Sequence, residues 1–191
     1  MEIIFASQNS NKIREISALM PEGIEIKGLD ETVFTEELPE TGNTLEENAL
    51  QKARFVLEKT GKACFADDTG LEIPALNGRP GVYSARYAGE EKNADANMKK
   101  VLEEMRNSSD RRAHFRTVIA FCDGKSEHLF EGIVEGKILT EKKGEKGFGY
   151  DPIFMPDGFS VSFAEMDLQE KNKISHRARA TNKFLDFIRN Y

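Results

Sequence analysis

A chain of 191 residues suits one domain, or one domain with an added lobe, and can bury a substantial core. Hydrophobic residues make up 39% and charged residues 31%, a balance ordinary for a soluble globular protein. The formal net charge of −6 excludes a general nucleic-acid or membrane surface, while leaving room for a local Lys and Arg cluster that meets a small polyanion.

The two cysteines, Cys64 and Cys122, stand in neither a CxxC nor a Cys/His spacing, so neither a zinc site nor a disulfide framework is expected. Both lie in apolar segments and are expected as buried free thiols. Met1-Glu2-Ile3-Ile4-Phe5 shows no basic region followed by a long apolar stretch, and no apolar run reaches membrane-spanning length. A reducing cytoplasm is the expected setting.

Glu2 to Ala6 reads as a strand, followed by the polar loop Ser7-Gln8-Asn9-Ser10-Asn11. Lys12 to Met20 then carries Ile13, Ile16 and Met20 at helical spacing, and Pro21 and Gly23 stop it. Ile24 to Leu29 is a second strand, and the acidic stretch Asp30 to Gly42 a loop. Thr44-Leu45-Glu46-Glu47 matches a capping box, opening a helix with Leu45, Ala49, Ala53 and Val56 as its buried stripe. Gly61 closes that helix before an apolar strand, Ala63 to Ala66, which a turn at Gly70 is expected to end.

Asn77 to Gly81 is a turn-rich loop, and Asp95 to Arg106 a surface helix with Met98, Val101, Leu102 and Met105 inward. His114 to Cys122, an Asp123-Gly124 turn and Glu127 to Val134 form a β-hairpin. Lys142 to Gly147 is expected as a flexible charged loop leading into Phe148-Gly149-Tyr150-Asp151-Pro152. The last helix begins near Ser175, with Ala180, Phe184, Phe187, Ile188 and Tyr191 on one face. Helices alternating with strands, then a hairpin, favour a mixed α/β sheet.

Several of these segments carry chemistry. In Ala66-Asp67-Asp68-Thr69-Gly70-Leu71 two neighbouring acids repel, and neither belongs in a core unless a cation meets them. An Asx-type turn fits the same residues. If the strand continues, the two side chains leave by opposite faces. The two acids are then not expected to grip one ion as equals.

The loop before Lys12 places free backbone N–H groups and a lysine where an anion is favoured, without the glycines of a Walker A loop. A plain cap by Ser10 explains the same pattern. Lys52 lies one turn from Asn48 beside a buried stripe, as a group reaching inward or as a lysine lying along the helix edge. His176 and Arg177 put cations in a helix's first turn, against its dipole, which points to a ligand acceptor, with a generic basic surface patch as the alternative. Lys171 and Lys173 precede them. Phe148, Gly149, Tyr150 and Asp151 combine ring faces with a carboxylate, either to stack a base and accept from its N–H or to anchor a turn. Cations, acids and a ring face are together what a magnesium nucleotide polyphosphate requires.

These residues resemble the Ham1/inosine triphosphate pyrophosphatase family over nearly the whole chain, from Ser7-x-Asn9-x-x-Lys12 to Ser175-His176-Arg177. Between them lie Glu40-Thr41-Gly42, Glu47-Asn48-Ala49-x-x-Lys52-Ala53, Ala66 to Leu71, Pro80-Gly81-Val82-Tyr83-Ser84-Ala85-Arg86 and Phe148 to Pro152. Thr69 stands where many relatives carry Ser, and Gln8 where a small residue is common.

The resemblance implies one domain over 1–191, with a central mixed sheet flanked by helices, two lobes with a nucleotide cleft between them, and a homodimer. It also implies Mg²⁺-dependent hydrolysis of ITP, dITP or XTP between the α- and β-phosphates. By resemblance Ser7, Gln8, Asn9, Ser10, Asn11 and Lys12, with Lys52, hold the triphosphate. Glu40 and Asp68 bind the metal, and Asp68 is the general base. Phe148 stacks the base and Asp151 and Arg177 read its edge, with Thr69, Gly149, Tyr150, Lys171 and His176 close by. The alternatives are a Maf-like pyrophosphatase of other base specificity, whose motifs match less well, and a non-catalytic nucleotide-binding module, which has no need of the acid set.

Overall fold

Short apolar segments separated by polar turns pair here into a sheet. The computed structural model describes residues 2–29 and 34–191. Among them, β1 (Glu2–Phe5), β2 (Glu25–Lys27), β3 (Cys64–Glu72), β4 (Arg112–Cys122), β5 (Glu127–Ile138) and β6 (Phe154–Pro156) form one sheet in the order β2-β1-β3-β4-β5-β6. β1 pairs parallel with both β2 and β3, and β5 pairs antiparallel with β6, so the sheet is mixed as expected. Its helices are α1 (Ser10–Ser17), α2 (Leu45–Thr60), α3 (Ala94–Glu104), α4 (Leu168–Ile174) and α5 (His176–Ile188). None of the described helices is long and apolar enough to cross a membrane. Asp30 to Val33 of the expected acidic loop lie outside the described residues.

The chain divides into two compact units, and β3, β4 and β5 contribute residues to both. The first comprises Met1–Asp68, Thr117–Gly132 and Arg177–Tyr191. Its core sets Ile3 and Phe5 of β1, Ile16 of α1, Phe65 of β3, Ile119 and Phe121 of β4, and Phe184 and Ile188 of α5 together. The Phe5 and Phe65 rings stack at 4.6 Å. The second comprises Thr69–Arg116 and Ile133–His176. There Leu71, Ile73, Val101, Phe115, Phe154 and Phe163 form the centre, with Met98 and Met105 of α3 packed in. Cys64 and Cys122 are buried free thiols, pushed up by burial to about 12 and about 11.

Several expectations need correction. β3 does not end at a turn on Gly70 but runs through Asp67, Asp68, Thr69 and Gly70 to Glu72. Gly70 is needed for closeness instead, since a Cβ there would lie 2.8 Å from the Gly81 carbonyl oxygen. α1 is capped by Asn9, not Ser10: the Asn9 side chain accepts from the backbone of Asn11 and Lys12. The Thr44 cap on α2 forms, but the Glu47 carboxylate accepts from Asn43 N rather than returning to Thr44.

The segment before α5 holds a further helix, α4, opened by a reciprocal box between Asp167 and Glu170. Asp167-Leu168-Gln169-Glu170 spells this box in the sequence. The 142–147 loop is exposed yet anchored, with Lys143 N donating to Pro152 O and Lys146 N to Ala164 O. On α5, Ala180, Phe184 and Ile188 are buried, but Tyr191 lies past the helix end and is exposed.

Candidate active site

β3 delivers Asp67 and Asp68 in succession, and because the strand persists through them their side chains part. In the first unit, Asp67 Oδ1 accepts from Lys12 Nζ at 3.0 Å and Oδ2 from Arg177 Nε at 3.3 Å. Arg177 Nη1 pairs with Glu15, so this guanidinium lies between two buried carboxylates. Asp68 Oδ1 instead meets Lys52 Nζ at 3.4 Å. The same ammonium donates to Glu40 Oε1 at 2.5 Å and to the Asp67 backbone carbonyl at 2.7 Å. Where a ligand acceptor was expected for the first-turn cation of α5, Arg177 meets protein carboxylates from β3 and α1.

The adjacent acids have opposite electrostatic fates. Burial works against ionisation of Asp67, but Lys12, Arg177 and Lys52 outweigh it and hold the carboxyl at about 2. Burial also acts on Asp68, and there it prevails over Lys52 and Lys12, so this carboxyl is raised above its ordinary value. Glu40 loses to burial less than it gains from Lys52 and is lowered. Lys52 is raised despite its burial, because Asp68, Glu40 and Asp67 surround it, whereas burial lowers Lys12 in spite of Asp67. Neighbouring acids are thus shifted in opposite directions, Asp67 down by its cations and Asp68 up by burial.

Local structure explains how Glu40 arrives there. Gln8 Nε2 donates to Glu36 O at 3.0 Å, and its Oε1 accepts from Leu38 N at 3.3 Å. Gln51 of α2 clamps Thr41 the same way, accepting from its backbone N and donating to Oγ1, both at 2.9 Å. Gly42 N donates to the buried Asn48 side chain at 2.7 Å. Gln8 therefore holds the chain around Glu40 here. Ser7 Oγ accepts from Asn9 N at 3.2 Å, while Ser10 and Asn11 sit at the α1 start, where Asn9 has already engaged two backbone donors.

The second unit gathers another group of expected residues. Asp151 Oδ2 accepts from Phe148 N at 2.9 Å and from Lys171 Nζ at 2.6 Å. Lys171 is buried and its ammonium lies 5.0 Å from the Phe148 ring centroid, in cation–π range. Gly149 takes φ 62°, which a residue with a side chain rarely adopts. Tyr150 is buried, with its hydroxyl on Ser84 O at 2.6 Å. His176 stacks on Phe115 at 4.6 Å in the same unit, and Thr69 follows Asp68 along β3.

The sequence did not single out Glu15 or Gln51. Glu15 stands three residues after Lys12, a spacing indistinguishable from a solvated helix pair, and only tertiary packing buries it. Among the described residues no three His, Cys, Asp or Glu side chains converge as a ready metal cage. Two carboxylates, Glu40 and Asp68, do converge on one cation, the Lys52 ammonium. Hard oxygen donors in that number fit Mg²⁺, which is commonly held by one or two carboxylates and completed by phosphate oxygens and water.

The sequence pattern of the Ham1 family matches residues 3–187. A dITP/XTP pyrophosphatase of Christiangramia forsetii is 53% identical over 188 residues, covering 98% of this chain and 99% of that protein. One of Porphyromonas gingivalis is 52% identical over 188 residues, covering 98% and 97%. Among solved structures, the Staphylococcus aureus Ham1 protein superposes with a TM-score of 0.90 at 41% identity, covering 100% of this chain and 99% of that one. A HAM1 protein from Coxiella burnetii gives 0.90 at 42% identity, with 100% of each chain covered. Matched along nearly its full length in sequence and in fold, the chain belongs to the Ham1 family.

Proposed function

We propose that this protein hydrolyses deaminated purine nucleoside triphosphates (ITP, dITP and XTP) between the α- and β-phosphates. Water is consumed, and the monophosphate and pyrophosphate are released, which clears these purines from the nucleotide pool. The names of the relatives support the substrate class. The observation that carries the reading is the first-unit cluster in which Asp67 is pinned as an anion by Lys12 and Arg177 while Asp68 is raised beside Lys52 and Glu40.

In this reading Lys12, Lys52 and the Ser7–Asn11 loop hold phosphate oxygens, and Asp68 takes the proton of the attacking water. Glu40 and Asp68 would hold Mg²⁺, which when bound neutralises charge on phosphate oxygens and lowers the pKa of nearby water. Lys52 would stabilise charge on the departing pyrophosphate.

Phe148 offers the base a ring face, while Asp151 and Lys171 form a charged pair suited to its edge. Hypoxanthine and xanthine present a 6-oxo acceptor and an N1–H donor, where adenine presents an amino donor and a bare N1. A carboxylate set for N1–H and a cation set for O6 leave buried groups unpaired with ATP. Arg177, fixed by Glu15 and Asp67, belongs to the same base-edge proposal as an oriented donor. Both units act as one nucleoside-triphosphate pyrophosphatase domain, cytoplasmic and homodimeric, on the family resemblance.

Pyrophosphate release from ITP, XTP, dITP and the ordinary triphosphates, with and without Mg²⁺, tests this. The expected result is Mg²⁺-dependent pyrophosphate from the deaminated purines far in excess of that from ATP. Release of orthophosphate would overturn α–β cleavage, and equal turnover of ATP and ITP would overturn base reading.

A further inference from the structure

Tyr150 sits in the middle of the Phe148–Pro152 segment and is tied into the fold at both its ring and its hydroxyl. Its ring belongs to the second unit's core, and its hydroxyl donates to the Ser84 backbone carbonyl at 2.6 Å. Ser84 is a junction. Its Oγ donates to Gly81 O at 2.6 Å and accepts from Leu71 N at 2.9 Å, tying the Gly81–Arg86 turn to β3. Asn97 of α3 holds the far side of that turn, donating to Ala85 O at 2.9 Å and accepting from Ala88 N at 2.7 Å. The close approach of Gly70 to Gly81 leaves no slack between turn and strand. On its other side Tyr150 is flanked by Gly149, in a left-handed conformation, and by Asp151, which carries the bonds to Phe148 N and Lys171.

A left-handed glycine two residues before an acid that must hold its direction calls for an external anchor. The Tyr150 hydroxyl reaches one outside the loop and α4, the Ser84 carbonyl. We propose that the bond from the Tyr150 hydroxyl to the Ser84 carbonyl is a latch that fixes the Phe148–Asp151 loop, making Tyr150 and Ser84 positioning residues for base selection. The inference rests on the proposed function and gives a task to the Pro80–Arg86 motif, which that function leaves without one.

Tyr150→Phe tests it by keeping the buried ring and removing only the donor. The Ser84 carbonyl then retains Asn97 Nδ2 at 3.4 Å. For this variant KM for ITP is expected to rise by roughly 3- to 10-fold, the scale of one buried neutral hydrogen bond, with kcat within about twofold. The preference for ITP over ATP in kcat/KM is expected to fall by a similar factor. Calorimetry with two probes locates the effect: IMP binding weakens, while inorganic pyrophosphate binding stays at the wild-type value.

Val101→Ala, in the same core, serves as a control that lowers Tm without touching the latch. An unchanged ITP-to-ATP ratio in Tyr150→Phe, with wild-type discrimination intact, overturns the latch alone. So does an equal loss of selectivity in Val101→Ala, which would make the effect one of stability. A wild-type protein that does not distinguish ITP from ATP overturns the proposed function, and the latch with it.

Discussion

Asp67 and Asp68 are neighbours in sequence with different surroundings. Asp67 bridges Lys12 and Arg177, while Asp68 faces Lys52 and is raised by burial. Asp68→Asn keeps the shape of the side chain and removes the proton acceptor. Turnover of ITP should fall by roughly 10²- to 10⁴-fold, with nucleotide binding still measurable by calorimetry; near-normal kcat would take the base role from Asp68. Asp67 makes a separate prediction about pH. Its carboxyl lies at about 2 in the fold against an ordinary 3.8, so its contribution is complete above 3.8 and is lost as pH falls through about 2. Tm should therefore drop across that window, and Asp67→Asn should flatten this part of the profile. The acids were legible in the sequence as a pair needing cations. Which cation serves which acid was not, because Lys12, Lys52 and Arg177 arrive from three different helices.

Among the elements, those governed by neighbouring residues were the most readable. Thr44 caps α2 and Gly61 ends it with φ 65°, as a local rule requires. The Asp123 turn joins β4 to β5 by accepting from Lys125 N and Ser126 N. β3 is the opposite case. Its sequence looks like a strand that stops at Gly70, whereas the strand continues because the Gly81–Arg86 turn lies against it and leaves room only for hydrogen. Gly70→Ala brings a methyl within 2.8 Å of backbone oxygen, so unfolding stability should fall by about 1–3 kcal/mol. Urea denaturation measures this, and an unchanged midpoint would show that the Gly81 turn can yield. β6 was missed because three residues carry no period, and its pairing with β5 defines it.

For the molecule as a whole, the net charge of −6 sits beside a first-unit cluster in which Lys12, Lys52 and Arg177 are matched by Glu15, Glu40, Asp67 and Asp68. Because Lys52 satisfies both Glu40 and Asp68, the fold does not depend on a metal at those acids. Dialysis against a chelator should therefore abolish pyrophosphate release while moving Tm by no more than about 2 °C, and Mg²⁺ should restore activity. A large fall in Tm would assign the metal a structural role. The sequence by itself determined the α/β class, the ends of α2, the kinship and a candidate set of site residues, since all of these rest on local periodicity, caps and ordered motifs. Only the tertiary structure decided that Glu15 is buried on Arg177, that Gln8 and Gln51 hold the chain beside Glu40, and that the Tyr150 hydroxyl bonds the Ser84 carbonyl. Each of these depends on side chains brought together from distant positions, where burial and charge are set by partners that no local pattern records.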